Sequence, residues 1–133
     1  MPDDDSSSGR DARKRILLVD DQDAVRELVA MTLGDDLFEL LDAADGVTAV
    51  QLARSFRPHL ILLDVGMPKM DGFTVCRTLK QDPQTSDIPI IMLTAAGTDV
   101  DKATGRAAGA DGYFTKPFSP TALINKVQEM IGS

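Results

Sequence analysis

Short apolar runs alternate with amphipathic stretches along most of the chain. The runs are Ile16–Val19, Phe38–Leu41, Leu60–Leu63, Ile90–Leu93 and Gly112–Phe114. Three of them, at 16–19, 60–63 and 90–93, are apolar throughout, as expected of strands covered on both faces in a parallel sheet. The run at 38–41 carries Glu39 and reads as a strand nearer an edge. The last run is short and takes its assignment mainly from its position.

Helical spacing fills the intervals. Val25, Leu28, Val29 and Leu33 form a stripe after Asp23, read as an N-cap, with Gly34 as the stop. Val47, Val50, Ala53 and Phe56 form a second stripe that ends before Pro58. Phe73, Cys76 and Leu79 form a third, opened by Asp71. The segment 98–101 resembles a capping box for a fourth helix, which is weak because its apolar face is mostly alanine and Gly105 sits inside it. Ser119-Pro120 gives an N-cap followed by proline at the first helical position, and the fifth helix then carries Leu123, Val127, Met130 and Ile131. Five β–α units in strict alternation predict an α/β fold, a doubly wound five-stranded parallel sheet flanked by five helices. Residues 1–14 show neither period and are expected to form a disordered tail ahead of one folded domain at 15–133.

Composition narrows the function classes. No apolar run approaches the roughly 20 residues of a membrane span, and the N-terminus lacks the apolar core of a secretory signal. The single cysteine, Cys76, reads as core. It forms neither an internal disulfide nor a cysteine zinc site, and it fits a reducing cytoplasmic setting. The net charge is −7, and residues 1–15 contribute none of it, with four acids and four bases; the other 118 residues hold 17 acids against 10 bases. Such a body repels phosphate backbones and anionic lipid, which argues against direct nucleic-acid or membrane binding and favours a bound cation or a basic partner.

In a doubly wound sheet, ligands bind outside the carboxyl ends of the strands. Those ends carry Asp20-Asp21 after the first strand, Asp64 after the third, Thr94 after the fourth and Lys116-Pro117 after the fifth. Each could be ordinary taken alone, Asp64 as a turn acid and Lys116 as a surface lysine. Together they bring three carboxylates, a hydroxyl and an ammonium to one edge. Clustered carboxylates repel, and an oxygen-only, solvent-facing set suits Mg²⁺. Such a set can accept a phosphoryl group on an aspartate. His59 reads as an exposed loop residue, and Met67 and Met70 as packing. No glycine-rich phosphate loop is present.

The segments Ile16–Asp21, Leu62–Gly72, Met92–Ala95 and Ala108–Phe118 closely resemble the receiver domain of two-component response regulators, chemotaxis regulators included. The resemblance implies a flavodoxin-like strand order, 2-1-3-4-5, and a Mg²⁺-dependent transfer from a phosphohistidine of a sensor kinase or phosphotransfer protein to Asp64. It implies that Asp21, Asp64 and the carbonyl of Gly66 bind the metal directly and Asp20 through water. It assigns Thr94, the amide of Ala95 and Lys116 to the phosphoryl group, a cis bond to Pro117, and a switch pair of Thr94 and Tyr113. The switch would reshape the face made by the fourth helix, fifth strand and fifth helix, toward an unknown protein target. A phosphorylation-dependent dimer is compatible with it. Gly66 and Ala96 replace the larger side chains common in the family, so self-dephosphorylation is expected to proceed without a side chain that orients water. The overall expectation is a cytoplasmic, single-domain phosphoprotein that turns over no substrate. Rivals stay open: a Mg²⁺-dependent phosphohydrolase, disfavoured because Gly66 stands where its second acid is needed; a flavin or nucleotide binder, disfavoured by Asp20-Asp21; and a receiver within a longer regulator.

Overall fold

The computed structural model describes residues 13–33, 38–66, 71–94, 103, 106–115 and 119–131. Its strands are β1 (Lys14–Val19), β2 (Phe38–Ala43), β3 (Leu60–Asp64), β4 (Ile90–Thr94) and β5 (Gly112–Thr115). They form one parallel sheet in the order β2-β1-β3-β4-β5. Helices α1 (Asp23–Leu33), α2 (Gly46–Phe56) and α3 (Gly72–Gln81) connect the first four strands, and the C-terminal helix spans Pro120–Ile131. Helical residues at 103 and 106–108 lie in the predicted fourth helix. Among the described residues, helix is therefore present at all five predicted places. The tail residues 1–12, Gly34, Met67 and Met70, Ala95 and Ala96, the capping segment 98–101, Gly105, and Lys116, Pro117 and Phe118 lie outside the described residues.

The sheet has a core on each face because helices cover both sides. Leu17, Val19, Ile61, Leu63, Ile90 and Met92 pack with Ala49, Ala53, Val75 and Leu79 of α2 and α3. Ile16, Leu18, Leu60, Leu62, Ile91 and Leu93 pack with Val29, Leu33, Leu123 and Val127 of α1 and the C-terminal helix. The period of two sends successive side chains to opposite faces, and since both faces are covered the runs need no polar alternation. All of β3 and β4 is buried, as their unbroken apolar runs predict.

The helices correct parts of the sequence reading. Asp23 lies inside the first turn of α1, because the Gln22 carbonyl accepts the helix's first hydrogen bond from the Arg26 amide at 3.2 Å. Leu28, placed on the apolar stripe, is 37% exposed, and Val47 is 58% exposed. In α2 the sheet side is lined by Gly46, Ala49, Val50 and Ala53. Small side chains let the helix approach the sheet closely and turn the bulkier Val47 outward. Asp71 does cap α3, accepting from the Thr74 amide at 2.8 Å. Ser119 caps the C-terminal helix, its Oγ accepting from the Ala122 amide at 3.1 Å. Cys76 is buried, and burial chiefly pushes its thiol up to about 11, which keeps it unreactive near neutral pH.

β1 begins at Lys14, so ordered pairing reaches two residues ahead of the apolar run and one into the predicted tail. Its first turn of contacts is supplied by His59, which is half-buried and not a loose loop residue. The Arg15 amide donates to His59 Nδ1 at 2.9 Å, and the His59 amide donates to the Arg15 carbonyl at 2.7 Å. The Arg15 side chain donates to the carbonyls of Phe56 and Arg57 at 3.0 and 2.9 Å. That secures the end of α2, where Pro58 disfavours further helix and Arg57 adopts φ 53°.

Because Nδ1 accepts a hydrogen bond, His59 must be neutral to hold β1. Burial first, then the Arg15 and Lys14 charges, lower its pKa below the usual 6.5. The unfolded chain therefore takes up the proton first as pH falls. This contribution is whole above about 6.5 and is lost on descent toward the folded value. The urea midpoint of the wild type should drop between pH 7.5 and 5.5, and drop less in His59→Gln, which keeps an acceptor without titrating. Equal pH slopes in the two proteins would count against this role.

Candidate functional site

The strand order reverses between β1 and β3, since the chain leaves β1 toward β2 and returns past it to β3. In sheets of this kind the ligand position lies outside the carboxyl ends at that point. Val19 pairs with Leu63, and Asp64 pairs with Leu93. These registers bring Asp20, just past the end of β1, together with Asp64 and Thr94, the buried last residues of β3 and β4, at the carboxyl ends of three neighbouring strands.

Asp20, Asp21 and Asp64 each offer a carboxylate oxygen, and the three oxygens lie within 4.8 Å of one another. Asp20 is fully buried, Asp64 is 7% exposed, and Asp21 is open to solvent. Two nearly buried carboxylates this close repel strongly in a medium less polar than water. Local amides help hold them in place: Asp20 Oδ1 accepts from the Gln22 amide at 2.9 Å, and Asp64 Oδ1 accepts from the Gly66 amide at 3.3 Å. The donors are all oxygen and one side is open. A hard divalent cation fits such a set and cancels the repulsion. Thr94 is 3% exposed at the end of β4.

Period-two alternation puts Thr94 on the same sheet face as Met92, and Tyr113 packs half-buried against that same cluster. Thr94 and Tyr113 thus share the α2–α3 side. Of the residues assigned by resemblance, the fold unites Asp20, Asp21, Asp64, Gly66 and Thr94 at one edge, with Tyr113 on the adjoining strand. Ala95, Lys116 and Pro117 lie outside the described residues.

Two features escaped the sequence reading. The first is Gly72, the opening residue of α3. A Cβ added there would sit 2.2 Å from the Asp64 carbonyl oxygen and 2.8 Å from Val65 Cα. The helix start therefore presses on the backbone that carries Asp64, and the Gly72 amide donates to the Val65 carbonyl at 3.2 Å. Its signal was a glycine next to a capping aspartate. The second is Arg26, whose side chain reaches back to the first acid loop. By contrast, a Cβ on Gly66 meets nothing within 4 Å among the described residues.

Comparison with known proteins decides the family. The model of the response regulator receiver domain matches residues 16–128. The chain belongs to the response regulator receiver domain family. It is 43% identical over 117 residues to the "DNA-binding dual master transcriptional regulator RpaA" of Synechocystis, covering 88% of this chain and 48% of that protein. It is 43% identical over 116 residues to the "Response regulator PleD" of Caulobacter vibrioides, covering 87% of this chain and 26% of that one. Among solved structures, the chemotaxis protein CheY4 of Vibrio cholerae superposes with a TM-score of 0.85 at 36% identity, covering 89% of this chain and 98% of that one. The receiver spans about half the length or less of these curated relatives. Among the described residues, no helix is long and apolar enough to cross a membrane.

Gly72→Ala should destabilise the receiver by about 1–3 kcal/mol, the usual cost of overpacking. Gly66→Ala should stay within about 0.5 kcal/mol, as for an open surface site. Urea unfolding of both variants checks this, and equal costs would show that α3 does not bear on the Asp64 backbone.

Proposed function

We propose that the receiver takes a phosphoryl group from a phosphohistidine onto Asp64. The Asp64 carboxylate oxygen forms the new bond to phosphorus as the bond to the histidine nitrogen breaks, leaving imidazole and an acyl phosphate. Asp21, Asp64 and the Gly66 carbonyl would hold Mg²⁺, with Asp20 as the supporting outer acid. The ion, when bound, neutralises charge on the transferring oxygens. Asp20 and Asp21 keep that charge balance dependent on the cation. Thr94, the Ala95 amide and Lys116 bind the phosphoryl oxygens. The observation that carries the reading is the approach of the three carboxylates at the strand-order reversal, beside buried Thr94.

Phosphorylation adds acceptor oxygens at the sheet edge, and Thr94 moves toward them. Tyr113 then fills the vacated side, since both face the same cluster. The change reshapes the face of the fourth helix, β5 and the C-terminal helix, where a downstream protein docks. The receiver unit, its first strand opening at Lys14, acts in the cytoplasm as a signalling module without turnover of a separate substrate. With Gly66 and Ala96 lacking polar side chains, the acyl phosphate decays without an oriented water. Donors are a sensor kinase or a histidine phosphotransfer protein, and phosphorylation-dependent dimerisation is compatible with the switch.

A phosphotransfer profile against purified histidine kinases of the host tests the proposal. Label should move rapidly from a small subset of kinases to the wild type and not at all to Asp64→Asn. Transfer to Asp64→Asn at the wild-type rate would refute it.

A further inference from the structure

Among the described residues, backbone and side-chain bonds hold the loop bearing Asp20 and Asp21. The Asp20 amide donates to the Ala43 carbonyl at the end of β2, at 3.0 Å. Its carboxylate accepts from the Gln22 amide. Its carbonyl accepts from Arg26 Nη1 at 2.7 Å. This last hold comes from a side chain that is not itself an acid of the site.

The Arg26 guanidinium is spread over three elements. Nη1 takes the Asp20 carbonyl after β1, Nη2 donates to Asp23 Oδ1 in the first turn of α1, and Nε lies 3.6 Å from Asp42 Oδ2 near the end of β2. The side chain is 19% exposed, so this fork is partly withdrawn from water. A planar guanidinium has donors fixed in a fan that can serve three directions at once, whereas a lysine ammonium on its flexible stem cannot reproduce the fan. Two carboxylates, Asp23 and Asp42, flank the charge. Their field largely cancels what Arg26 would project onto Asp20 and Asp21, so its effect on a cation there comes from placement.

We propose that Arg26 is a positioning residue for the Mg²⁺ pocket, clamping the Asp20 carbonyl so that the Asp20-Asp21 carboxylates stay turned toward Asp64. The inference rests on the proposed role of that pocket. Without the clamp, the loop must be ordered by the cation itself, and the binding free energy falls by that ordering cost. Once the cation is bound, the pocket is whole again. The loss therefore appears in affinity for Mg²⁺ and vanishes at saturation.

Two readouts test it, on folded variants checked by thermal melts. Mg²⁺ titrations followed by amide shifts of residues 20–22 and 64–66 give Kd. Phosphorylation by phosphoramidate as a function of Mg²⁺ gives a half-saturating concentration and a limiting rate. Arg26→Lys, with charge kept and the fan lost, should raise Kd about tenfold, at the low end of the loss usual when a partner outside the ligand set is removed. Arg26→Gln should do the same. Asp42→Asn, which loosens one arm far from the acids, should raise Kd by a smaller factor. Limiting rates at saturating Mg²⁺ should stay within about twofold of wild type. An unchanged Kd in Arg26→Lys with a tighter one in Arg26→Gln would reduce Arg26 to a charge and overturn the proposal. Lower melting temperatures with unchanged Kd in both would reduce it to a structural support, overturning it equally. In either case a wild type that binds Mg²⁺ and is phosphorylated leaves the parent reading standing. A wild type that binds no Mg²⁺ removes both.

Discussion

The structure depends on keeping like charges close at one edge of a nonpolar sheet. Asp20 and Asp64 end two adjacent, fully buried runs, and their carboxylates come close to each other and to Asp21. Alone, such an arrangement weakens the fold, because two carboxylates held close and out of water repel each other and lose solvation. It is supportable because local backbone amides hold each carboxylate and because the open side admits a cation. The same clustering of acids is what suits the pocket to a divalent ion and, on the proposed reading, to a transferring phosphoryl group.

Everything beneath the pocket serves to fix its rim. Two apolar layers clamp the sheet from both faces, so the strand ends cannot shift independently. Gly72 allows α3 to abut the Asp64–Val65 backbone, and Arg26 gathers the loop after β1 with α1 and β2. At the far edge, His59 and Arg15 close the start of β1 and the end of α2. Lys80 does the same for the entry to β4, meeting Asp111 at 2.9 Å and the Ile88 carbonyl at 2.8 Å. Rigidity at the amino edge lets the carboxyl edge carry strained electrostatics.

Much of this was legible in the residues. The uninterrupted apolar runs at 60–63 and 90–93 announce strands buried on both faces, and they are so. The placement of acids after the first and third runs identifies the rim, because parallel strands deliver all their carboxyl ends to one side. Asp71 and Ser119 are caps, as their chemistry suggests. The failures have more than one cause. Val47 looks like core by size and period, yet the sheet side of α2 is lined by the small residues Gly46, Ala49 and Ala53, whose contribution a count of large apolar side chains overlooks, and in α1 Val29 and Leu33 fill the core while Leu28 stays partly exposed. His59, Arg26 and Gly72 act through contacts between segments far apart in sequence or through backbone proximity, and no local pattern encodes those. The family resemblance supplied what spacing could not: the assignment of roles among Asp20, Asp21 and Asp64.

The central claim is that Asp64, among all the acids of the receiver, is the one that accepts phosphorus, and that it does so only when a divalent cation fills the pocket. Acyl phosphates are reduced by borohydride to the alcohol, which converts a phosphorylated aspartate to homoserine. After incubation with phosphoramidate and Mg²⁺, borohydride treatment and peptide mass mapping should find homoserine at position 64 alone, and none when Mg²⁺ is chelated. Homoserine at a different aspartate, or at position 64 regardless of Mg²⁺, would contradict the account.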